Sequence, residues 1–264
     1  MPSHVLDFQC ALITGSGGGL GLSMARYLVQ TKNKKVILAG RTESNLQEAS
    51  KSLGGDVPYY VVDTGKTSEL KGFVEKVVKE HPEVDCLINN AGVQRPLEVT
   101  ELKLDQLDQE IDINVRGPIH LADAFLNHFA SKKHAVIMNV TSVLGFVPFS
   151  VLNPAYNGTK AFMHFYTESQ RTQLKSTPIR VVEIIPPSVH TALHRDREDP
   201  DDNNPSKSNA LTQEDFMNQV AEGWEKDQDV ITAGMGKELV KKWYDAYGEQ
   251  LGGAQKAWQG KEVK

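Results

Sequence analysis

The stretch Cys10-Ala-Leu-Ile-Thr-Gly-Ser-Gly-Gly-Gly-Leu-Gly21 decides the fold, because an apolar run leads directly into a glycine-rich turn. The run Cys10–Thr14 is short and mostly apolar, which is typical of a strand covered on both faces of a parallel sheet. The segment that follows the glycines places apolar side chains on one face of a helix. The stretch therefore predicts a strand, a tight turn and a helix in that order.

Short apolar runs and helical patterns alternate along the rest of the chain. Further strands are predicted at Val36–Ala39, Tyr59–Val62, Cys86–Asn89, Ala135–Val140, Val181–Ile185 and, on a sheet edge, Val230–Ala233. Helices are predicted at Leu20–Gln30, Ser68–Lys79, Ile113–Phe129 and Ala155–Leu174. This alternation predicts the α/β class, with a three-layer, doubly wound, mainly parallel sheet of the Rossmann type.

The length of 264 residues suits one domain with one sizeable core, and we predict that this domain spans residues 1–251. Two segments interrupt the alternation of strands and helices. Residues 190–215 begin with a polar, proline-containing stretch after the sixth strand, which we interpret as a lid over the substrate. Residues 252–264 are polar and are predicted to form a frayed tail.

Composition narrows the functional classes. The net charge of −5 argues against a general nucleic-acid surface. The sequence contains no run of 18 apolar residues, so no membrane-spanning helix is predicted. Cys10 and Cys86 both fall in apolar runs, where a buried thiol is the simpler interpretation than a disulfide or a metal ligand. No metal site is expected, and a reduced, cytoplasmic compartment fits this cysteine usage.

The glycine-rich turn predicts a dinucleotide site. Glycines allow positive φ and a close approach of ligand to backbone, and the next helix offers free N–H groups to a pyrophosphate. The pattern TGxxxGxG fits through Gly15, Gly19 and Gly21, but TGxxGxxG also fits through Gly15, Gly18 and Gly21. The glycines alone therefore do not choose between these two patterns, although both indicate a dinucleotide rather than a merely flexible turn.

Tyr156 and Lys160 lie four residues apart in a predicted helix and therefore on one face of it. A tyrosine hydroxyl has an ordinary pKa of about 10. A neighbouring ammonium stabilises the phenolate, so we expect Lys160 to lower the pKa of Tyr156. A proton donor and acceptor beside a dinucleotide is what the reduction of a carbonyl requires.

The order of these motifs carries a family resemblance. TGxxxGxG, Asp63, Asn89-Asn-Ala-Gly92, Asn114, Ser142 and Tyr156-x-x-x-Lys160 follow one another along the chain. Over about residues 8–235 the chain resembles the compact branch of the short-chain dehydrogenase/reductase family. Its length favours that branch over the longer, epimerase-like one.

The resemblance implies a role for each motif residue. Ser142 would orient the substrate carbonyl, with Thr141 as the alternative hydroxyl, and Tyr156 would transfer the proton. Lys160 would hold the nicotinamide ribose, and Asn114 would support a water relay toward it. The implied cofactor-binding residues are Gly15, Ser16, Gly19, Leu20, Gly21, Arg41, Asp63 (to the adenine), Asn90, Ala91, Gly92, Tyr156, Lys160, Pro186, Val189 and Thr191.

The end of the second strand favours NADP(H) over NAD(H). Gly40 stands where NAD-dependent relatives usually carry an acid, and Arg41 follows it directly. An acid would accept hydrogen bonds from the ribose 2′-hydroxyl, whereas an arginine binds a 2′-phosphate. Many NADP-using relatives carry a second basic residue in the glycine turn, where this chain has Ser16. Pro187 also departs from the family pattern, because it replaces a glycine beside the nicotinamide.

The predicted substrate is a small carbonyl or alcohol compound of apolar or aromatic character, because Phe146, Val147, Phe149 and Leu152 are expected to line the pocket. The predicted helices at Ile113–Phe129 and Ala155–Leu174 correspond to the usual dimer contact of the family, so a homodimer or homotetramer is expected. The function that these observations favour is an NADP(H)-dependent oxidoreductase of the carbonyl reductase or alcohol dehydrogenase type. A non-catalytic NADP(H)-binding regulator of the same fold is the alternative.

Overall fold

The computed structural model describes residues 4–259. The strands are β1 (Cys10–Thr14), β2 (Lys35–Gly40), β3 (Tyr59–Val61), β4 (Val84–Asn89), β5 (Ala135–Val140), β6 (Ile179–Ile185) and β7 (Val230–Thr232). The α-helices are α1 (Gly19–Arg26), α2 (Glu43–Ser52), α3 (Thr67–Glu80), α4 (Leu104–Ile111), α5 (Gly117–Ala130), α6 (Pro154–Gln173), α7 (Gln213–Glu225) and α8 (Gly236–Ala257).

The seven strands form one sheet in the order β3-β2-β1-β4-β5-β6-β7, and every neighbouring pair is parallel. The chain moves outward from β1 to β3 and then returns to the other side of β1 with β4. The carboxyl ends of β1 and β4 therefore face a crevice, which is where doubly wound sheets bind ligands. The predicted fold class is confirmed, and the predicted edge strand is β7.

Helices cover both faces of the sheet, because each central strand is apolar on both sides. On one face Met24 and Leu28 pack with Trp224 of α7. On the other face Phe125 and Phe129 of α5 stack with ring centroids 4.9 Å apart. Burying side chains of this size contributes about 1.5–3 kcal/mol each to folding, so these two cores hold the crevice in place.

Two predicted helices differ in detail from the observed ones, and α2, α4, α7 and α8 were not predicted. The predicted helix Leu20–Gln30 is α1 followed by a π-helical turn at Tyr27–Thr31. The predicted helix Ile113–Phe129 is α5, and a π-helical turn at Asp112–Arg116 joins it to α4, which the sequence analysis missed. No helix between residues 4 and 259 combines the length and the apolar character needed to cross a membrane.

The C-terminal segment differs from the predicted frayed tail, which is corrected here for residues 252–257. Helix α8 continues without a break through Gly252 to Ala257, so residues 252–257 are helical rather than frayed. Gln255 donates a hydrogen bond of 3.2 Å to Glu168 of α6, which gives this end of the helix an anchor. Residues 260–264 of the predicted tail lie outside the described residues.

Candidate active site

A cavity of about 530 Å³ opens at the carboxyl ends of the strands, between the glycine-rich turn and the start of α6. Its walls bring together most of the predicted site. The predicted residues on its walls are Gly15, Gly19, Leu20, Arg41, Asn90, Ala91, Gly92, Ser142, Tyr156, Lys160, Pro186, Val189 and Thr191. Ser16, Gly21, Asp63 and Asn114 are not on the walls, and the structure gives each of them a place behind the cavity.

The glycine-rich turn forms the floor of the cavity. Gly15 and Gly19 have φ angles of 66° and 53°, which side chains other than glycine rarely adopt. A Cβ on Gly15 would lie 2.9 Å from Cα of Ala91, and one on Gly21 would lie 2.5 Å from the carbonyl oxygen of Gly15. Gly21 thus allows α1 to pack against the turn, while Gly15 and Gly19 shape the surface.

This floor fits the pyrophosphate of a dinucleotide. Gly18 is the N-cap residue of α1 and has no side chain to bond the first N–H groups of the helix. A Cβ on Gly18 would meet no atom within 4 Å. The first N–H groups of a helix have no partner within the helix, and they carry the positive end of its dipole. The turn therefore offers donors and open space at the same point, as an anionic group requires.

Hydrogen bonds brace the turn from the side of β4. The Thr14 hydroxyl oxygen accepts from the backbone N–H groups of Asn90 and Ala91, each at 3.0 Å. The Asn90 amide donates to the carbonyl oxygen of Thr14 at 2.9 Å. Ser16 is buried, and its hydroxyl donates to the carbonyl oxygen of Ile13 at 2.8 Å. The Ser16 side chain therefore fastens the turn to the sheet rather than lining the cavity.

Gly40, Arg41 and Thr42 line one end of the cavity, beyond the carboxyl end of β2. Arg41 is exposed and forms no ion pair with any residue between 4 and 259. Asp63 lies behind this end, where its carboxylate accepts a hydrogen bond of 3.0 Å from the backbone of Gly65. Val62 and Thr64 line the cavity on either side of it in sequence.

Ser142, Tyr156 and Lys160 stand together on the opposite wall. Ser142 follows β5 directly, and its hydroxyl caps a short 3₁₀ turn by accepting from the backbone of Leu144 at 3.2 Å. Nζ of Lys160 lies 5.5 Å from the ring centroid of Tyr156 and donates to the carbonyl oxygen of Val140 at 2.8 Å. The alternative hydroxyl, Thr141, is directed to Glu183 of β6 at 2.7 Å, which leaves Ser142 as the partner of Tyr156.

Burial dominates the electrostatics of this wall. Burial raises the pKa of Tyr156 above its ordinary value, while the hydrogen bond with Ser142 and the charge of Arg197 lower it. Burial also lowers the pKa of Lys160 to about 8, and the charge of Glu110 opposes this change. In the protein alone, desolvation of the phenolate therefore outweighs the charges that favour it. The expectation that Lys160 lowers the pKa of Tyr156 stays a prediction.

Asn114 is buried in the π-helical turn between α4 and α5. Its side-chain oxygen accepts from the backbone N–H of Val93 at 2.9 Å, and its amide donates to the Val93 carbonyl at 2.9 Å and to the Thr159 hydroxyl at 3.2 Å. Asn114 thus joins the loop after β4 to the helix that carries Lys160. A π-helical turn often marks a functional site.

Polar contacts hold the predicted lid, residues 190–215, against the rest of the molecule. Its two ends are joined where the backbone of His190 donates to the carbonyl oxygen of Leu211 at 2.9 Å. Arg197 donates to Asn153, just before α6, at 2.8 Å and to Gln94, beyond β4, at 3.3 Å. His190 pairs with Asp201, so its ring fastens the lid to itself.

Sequence reasoning missed a buried network that continues from Lys160 along α6. His164 and Glu168 follow at four-residue intervals, and Nδ1 of His164 lies 3.1 Å from both carboxylate oxygens of Glu183. Glu168 accepts from Arg171 and from the Tyr244 hydroxyl of α8, each at 2.6 Å. The signals for this network were the spacing of 156, 160, 164 and 168, and an acid within the apolar strand β6.

The imidazole and the two carboxylates of this network also lie close enough to hold a metal ion, since ligand-capable atoms of His164, Glu168 and Glu183 are within 4.8 Å of one another. Their oxygens already accept from Arg171, Tyr244, Gln255 and Thr141. These partners give the network a structural role in joining α6, α8 and the sheet.

Comparison with known proteins identifies the family of the chain. Residues 9–202 match the family model of the short chain dehydrogenases. The chain is 36% identical to the uncharacterized oxidoreductase DltE of Bacillus subtilis (strain 168) over 192 residues, which is 71% of this chain and 74% of that protein.

Two solved structures illustrate the shared fold. A short-chain dehydrogenase from Sphingobium yanoikuyae in complex with NADPH is 21% identical, with a TM-score of 0.79 over 97% of this chain and 99% of that one. The 3-ketoacyl-(acyl-carrier-protein) reductase from Brucella melitensis complexed with NADH is 25% identical, with a TM-score of 0.74 over 85% and 96% of the two chains. The chain therefore belongs to the short-chain dehydrogenase/reductase family of oxidoreductases, whose cofactor is a nicotinamide dinucleotide.

Proposed function

We propose that the protein is an NADP(H)-dependent oxidoreductase that interconverts a carbonyl compound and an alcohol. The observation that carries this proposal is the position of Ser142, Tyr156 and Lys160 on one wall of a cavity whose floor is the glycine-rich turn. Such a cavity can hold a dinucleotide and a carbonyl group side by side.

The residues of the wall would act on the oxygen of the substrate. When bound, the nicotinamide supplies or accepts a hydride at the substrate carbon. Ser142 and Tyr156 place two hydroxyl donors where negative charge develops on oxygen, and donors held in position there stabilise the transition state. In reduction Tyr156 gives its proton to that oxygen, and in oxidation it takes the proton back. Lys160 keeps an ammonium beside the phenol and stabilises the phenolate that results.

NADP(H) is the cofactor that the residues favour. Arg41 lines the cavity beyond the end of β2, it is exposed, and Gly40 before it carries no competing acid. A guanidinium binds a phosphate through two parallel hydrogen bonds. The solved relatives include complexes with NADPH and with NADH, so this preference depends on Arg41 and its neighbours.

We further propose an apolar or aromatic carbonyl substrate. The loop between β5 and α6 carries exposed apolar side chains, of which Phe149 is 60% and Leu152 is 45% exposed. The backbone of Leu97 donates to the carbonyl oxygen of Leu152 at 3.0 Å, so this loop borders the one that follows β4. Phe146, Val147, Phe149 and Leu152 are not on the cavity walls themselves, and the Phe146 ring packs against His164 and Trp243. The loop nevertheless connects Ser142 to α6, which both reach the cavity, and apolar surface beside a site favours an apolar ligand.

A homodimer or homotetramer and a cytoplasmic location complete the proposal. Phe162 and Phe165 of α6 are 51% and 56% exposed, and large apolar side chains that stand together on one surface favour a protein partner. Both cysteines are buried and free, which suits a reducing compartment.

The proposal is tested by titrating the protein with NADPH and NADH and then following NADPH oxidation with a panel of aromatic and aliphatic ketones and aldehydes. We expect NADPH binding and turnover of at least one ketone or aldehyde. NADPH binding without turnover of any carbonyl compound would favour the regulatory alternative.

A further inference from the structure

Helix α4 turns an acid toward the interior of the protein. Glu110 is its buried residue, with 2% of its surface exposed, although the inward position of a helix is normally apolar. Its Oε1 has no hydrogen-bond partner among residues 4–259. Burying a carboxyl group with an unsatisfied oxygen is costly, so its presence here calls for a role.

On its inner side, Glu110 faces the active site. It precedes Asn114 by four residues, and residues at this spacing share a helix face. A Cβ placed on Gly92 would lie 3.4 Å from Oδ1 of Asn114 and 3.8 Å from Nζ of Lys160, so these two side chains meet around Gly92. The charge of Glu110 acts on both Lys160 and Tyr156 and raises the pKa of each.

On its outer side, Glu110 borders a second cavity of about 220 Å³. The other residues on its walls are Arg95, Pro96, Leu97, Glu98, Glu101, Lys103, Gln106 and Leu107. Glu98, Glu101 and Lys103 are exposed, so this cavity reaches the protein surface. Glu110 therefore lines a polar, solvent-accessible space, and its charge reaches the active-site lysine.

The charged groups around Glu110 leave it able to exchange a proton near neutral pH. Burial raises the pKa of Glu110 to about 7, and Asp196 of the lid acts in the same direction. The Arg95 guanidinium, a hydrogen bond from the Arg95 backbone and Lys160 of α6 act in the opposite direction. Arg95 is itself held by Asp196, with 3.6 Å between Nε and Oδ2.

We propose that Glu110 is the relay residue that passes protons between Lys160 and the water of the second cavity. This inference rests on the proposed function. In reduction the hydride goes from the reduced nicotinamide to the carbonyl carbon, and the carbonyl oxygen takes the proton of Tyr156. The phenolate takes a proton from Lys160, the Lys160 amine takes one from the Glu110 carboxylic acid, and the carboxylate takes one from water. In oxidation every proton moves in the opposite direction.

The test compares the pH dependence of turnover in the wild type and in Glu110→Gln. Reduction requires the protonated acid, so kcat for reduction falls as the pH rises through about 7 in the wild type, and kcat for oxidation rises. Glu110→Gln cannot exchange a proton, so both inflections disappear and kcat falls roughly tenfold. Glu101→Gln, an exposed acid of the same cavity, keeps the wild-type profile.

A second measurement can overturn the relay without any turnover, and it does so on the wild-type protein alone, even if the variants fail to fold. Infrared spectra of the wild-type protein with NADPH bound should show a carboxylic acid C=O band that disappears as the pH rises through about 7. The band should persist in Glu101→Gln and be missing in Glu110→Gln. A wild-type spectrum without this titrating band overturns the relay.

The two proposals fail in different ways. Wild-type turnover with an inflection that persists in Glu110→Gln overturns the relay alone. A wild type that binds NADPH but turns over no carbonyl compound overturns the proposed function, and the relay with it.

Discussion

Tyr156 combines burial with a proton-transfer geometry. It is 5% exposed and close to the Lys160 ammonium, and the Ser142 hydroxyl acts to lower its pKa. Burial raises its pKa, so the phenol is the stable form in the protein alone. A cationic nicotinamide ring would favour the phenolate, which places proton transfer at the step where the proposed reaction needs it.

Tyr156→Phe removes the proton donor while keeping the ring that packs in the wall. We expect kcat to fall by about 10²–10⁴-fold, because general acid catalysis contributes that much, while the Kd for NADPH changes little. Steady-state kinetics and a fluorescence titration measure these two quantities. Tyr166→Phe, a half-buried tyrosine of the same helix, is the matched control and should keep full activity. Undiminished turnover of Tyr156→Phe would rule out this tyrosine as the donor.

Arg41→Ala tests the cofactor preference. A hydrogen bond to a charged group contributes about 1.5–3 kcal/mol, so we expect the Kd for NADPH to rise by about 10–100-fold. The Kd for NADH should remain unchanged, because the ribose 2′-hydroxyl offers no phosphate to Arg41. Arg26→Ala, at the far end of α1, is the control for a general loss of positive charge. An unchanged ratio of the two dissociation constants in Arg41→Ala would contradict the assignment.

At the residue scale, the sequence indicated the wall of the cavity better than what lies behind it. Gly15, Tyr156 and Lys160 lie on the wall because their spacing follows local turn and helix geometry. Ser16 and Glu110 could not be placed in this way, because their surroundings come from parts of the chain that are distant in sequence. A buried acid shows no apolar pattern that would reveal its position.

Helix α6 serves both the active site and the C-terminal helix. Beyond Lys160, its Glu168 is 4% exposed and accepts hydrogen bonds from Arg171 and from Tyr244 of α8. Burial opposes the charged form of Glu168, but Arg171 and Tyr244 outweigh it and hold its pKa below the ordinary value. The carboxylate therefore stabilises the docking of α8.

Glu168→Gln tests this stabilisation through its pH dependence. The folded-state pKa of Glu168 is lowered, so its contribution is complete above the unfolded pKa of 4.5 and is lost as the pH falls through that value and below it. At pH 7 we expect the variant to lose about 1–3 kcal/mol of unfolding free energy, and below pH 4.5 the difference should shrink. Urea unfolding at several pH values measures both effects.

Glu238→Gln is the control for Glu168→Gln. Glu238 lies on α8 with its side chain 74% exposed and pairs with Lys242, and exposed pairs contribute little. Its unfolding free energy should match that of the wild type at every pH. A Glu168→Gln variant that behaves in the same way would contradict the anchoring role of Glu168.

At the scale of elements, the pattern of apolar residues predicted the strands and the long helices. These elements are recognisable in the sequence by their buried apolar side chains. The observed bounds of every strand lie within two residues of the predicted ones. Helix α4 was missed because it buries Glu110 and leaves Leu104 59% exposed, which reverses the usual pattern. The helical end of α8 was missed because residues 252–264 are polar, whereas a hydrogen bond from Gln255 supports that turn.

The whole molecule presents an apolar surface on α6 that suits a second copy of the chain. Phe162 is 51% exposed, and its ring stacks with that of Tyr166 at 6.4 Å. A stable interface buries about 800 Å² on each partner and usually has aromatic residues at its centre.

Phe162→Asp places a charge at the centre of this surface. We expect the variant to sediment as a monomer, whereas the wild type sediments as a dimer or tetramer, because an unpaired charge is costly to bury in an interface. Val99→Asp, on a loop where the side chain is 74% exposed, should leave the oligomeric state unchanged. Sedimentation velocity distinguishes these states, and a wild type that is monomeric at high concentration would contradict the proposal.

At the scale of the molecule, the alternation of strands and helices predicted the doubly wound sheet, and right-handed crossovers leave few other ways to connect it. The crevice between β1 and β4 follows from the strand order. The position of residues 190–215 could not be predicted, because it depends on side chains such as Arg197, which meets Asn153 and Gln94 only in the folded chain.

The single stripe of Tyr156, Lys160, His164 and Glu168 along α6 makes this helix sensitive to length. One alanine inserted between Lys160 and His164 would rotate everything downstream by about 100°. Tyr156 and Lys160 would then keep their position on the helix, while Glu168 would turn away from Tyr244 of α8. A substitution in this stripe changes one side chain at a time. An insertion would instead separate the active-site residues of α6 from the residue that holds the C-terminal helix in a single step.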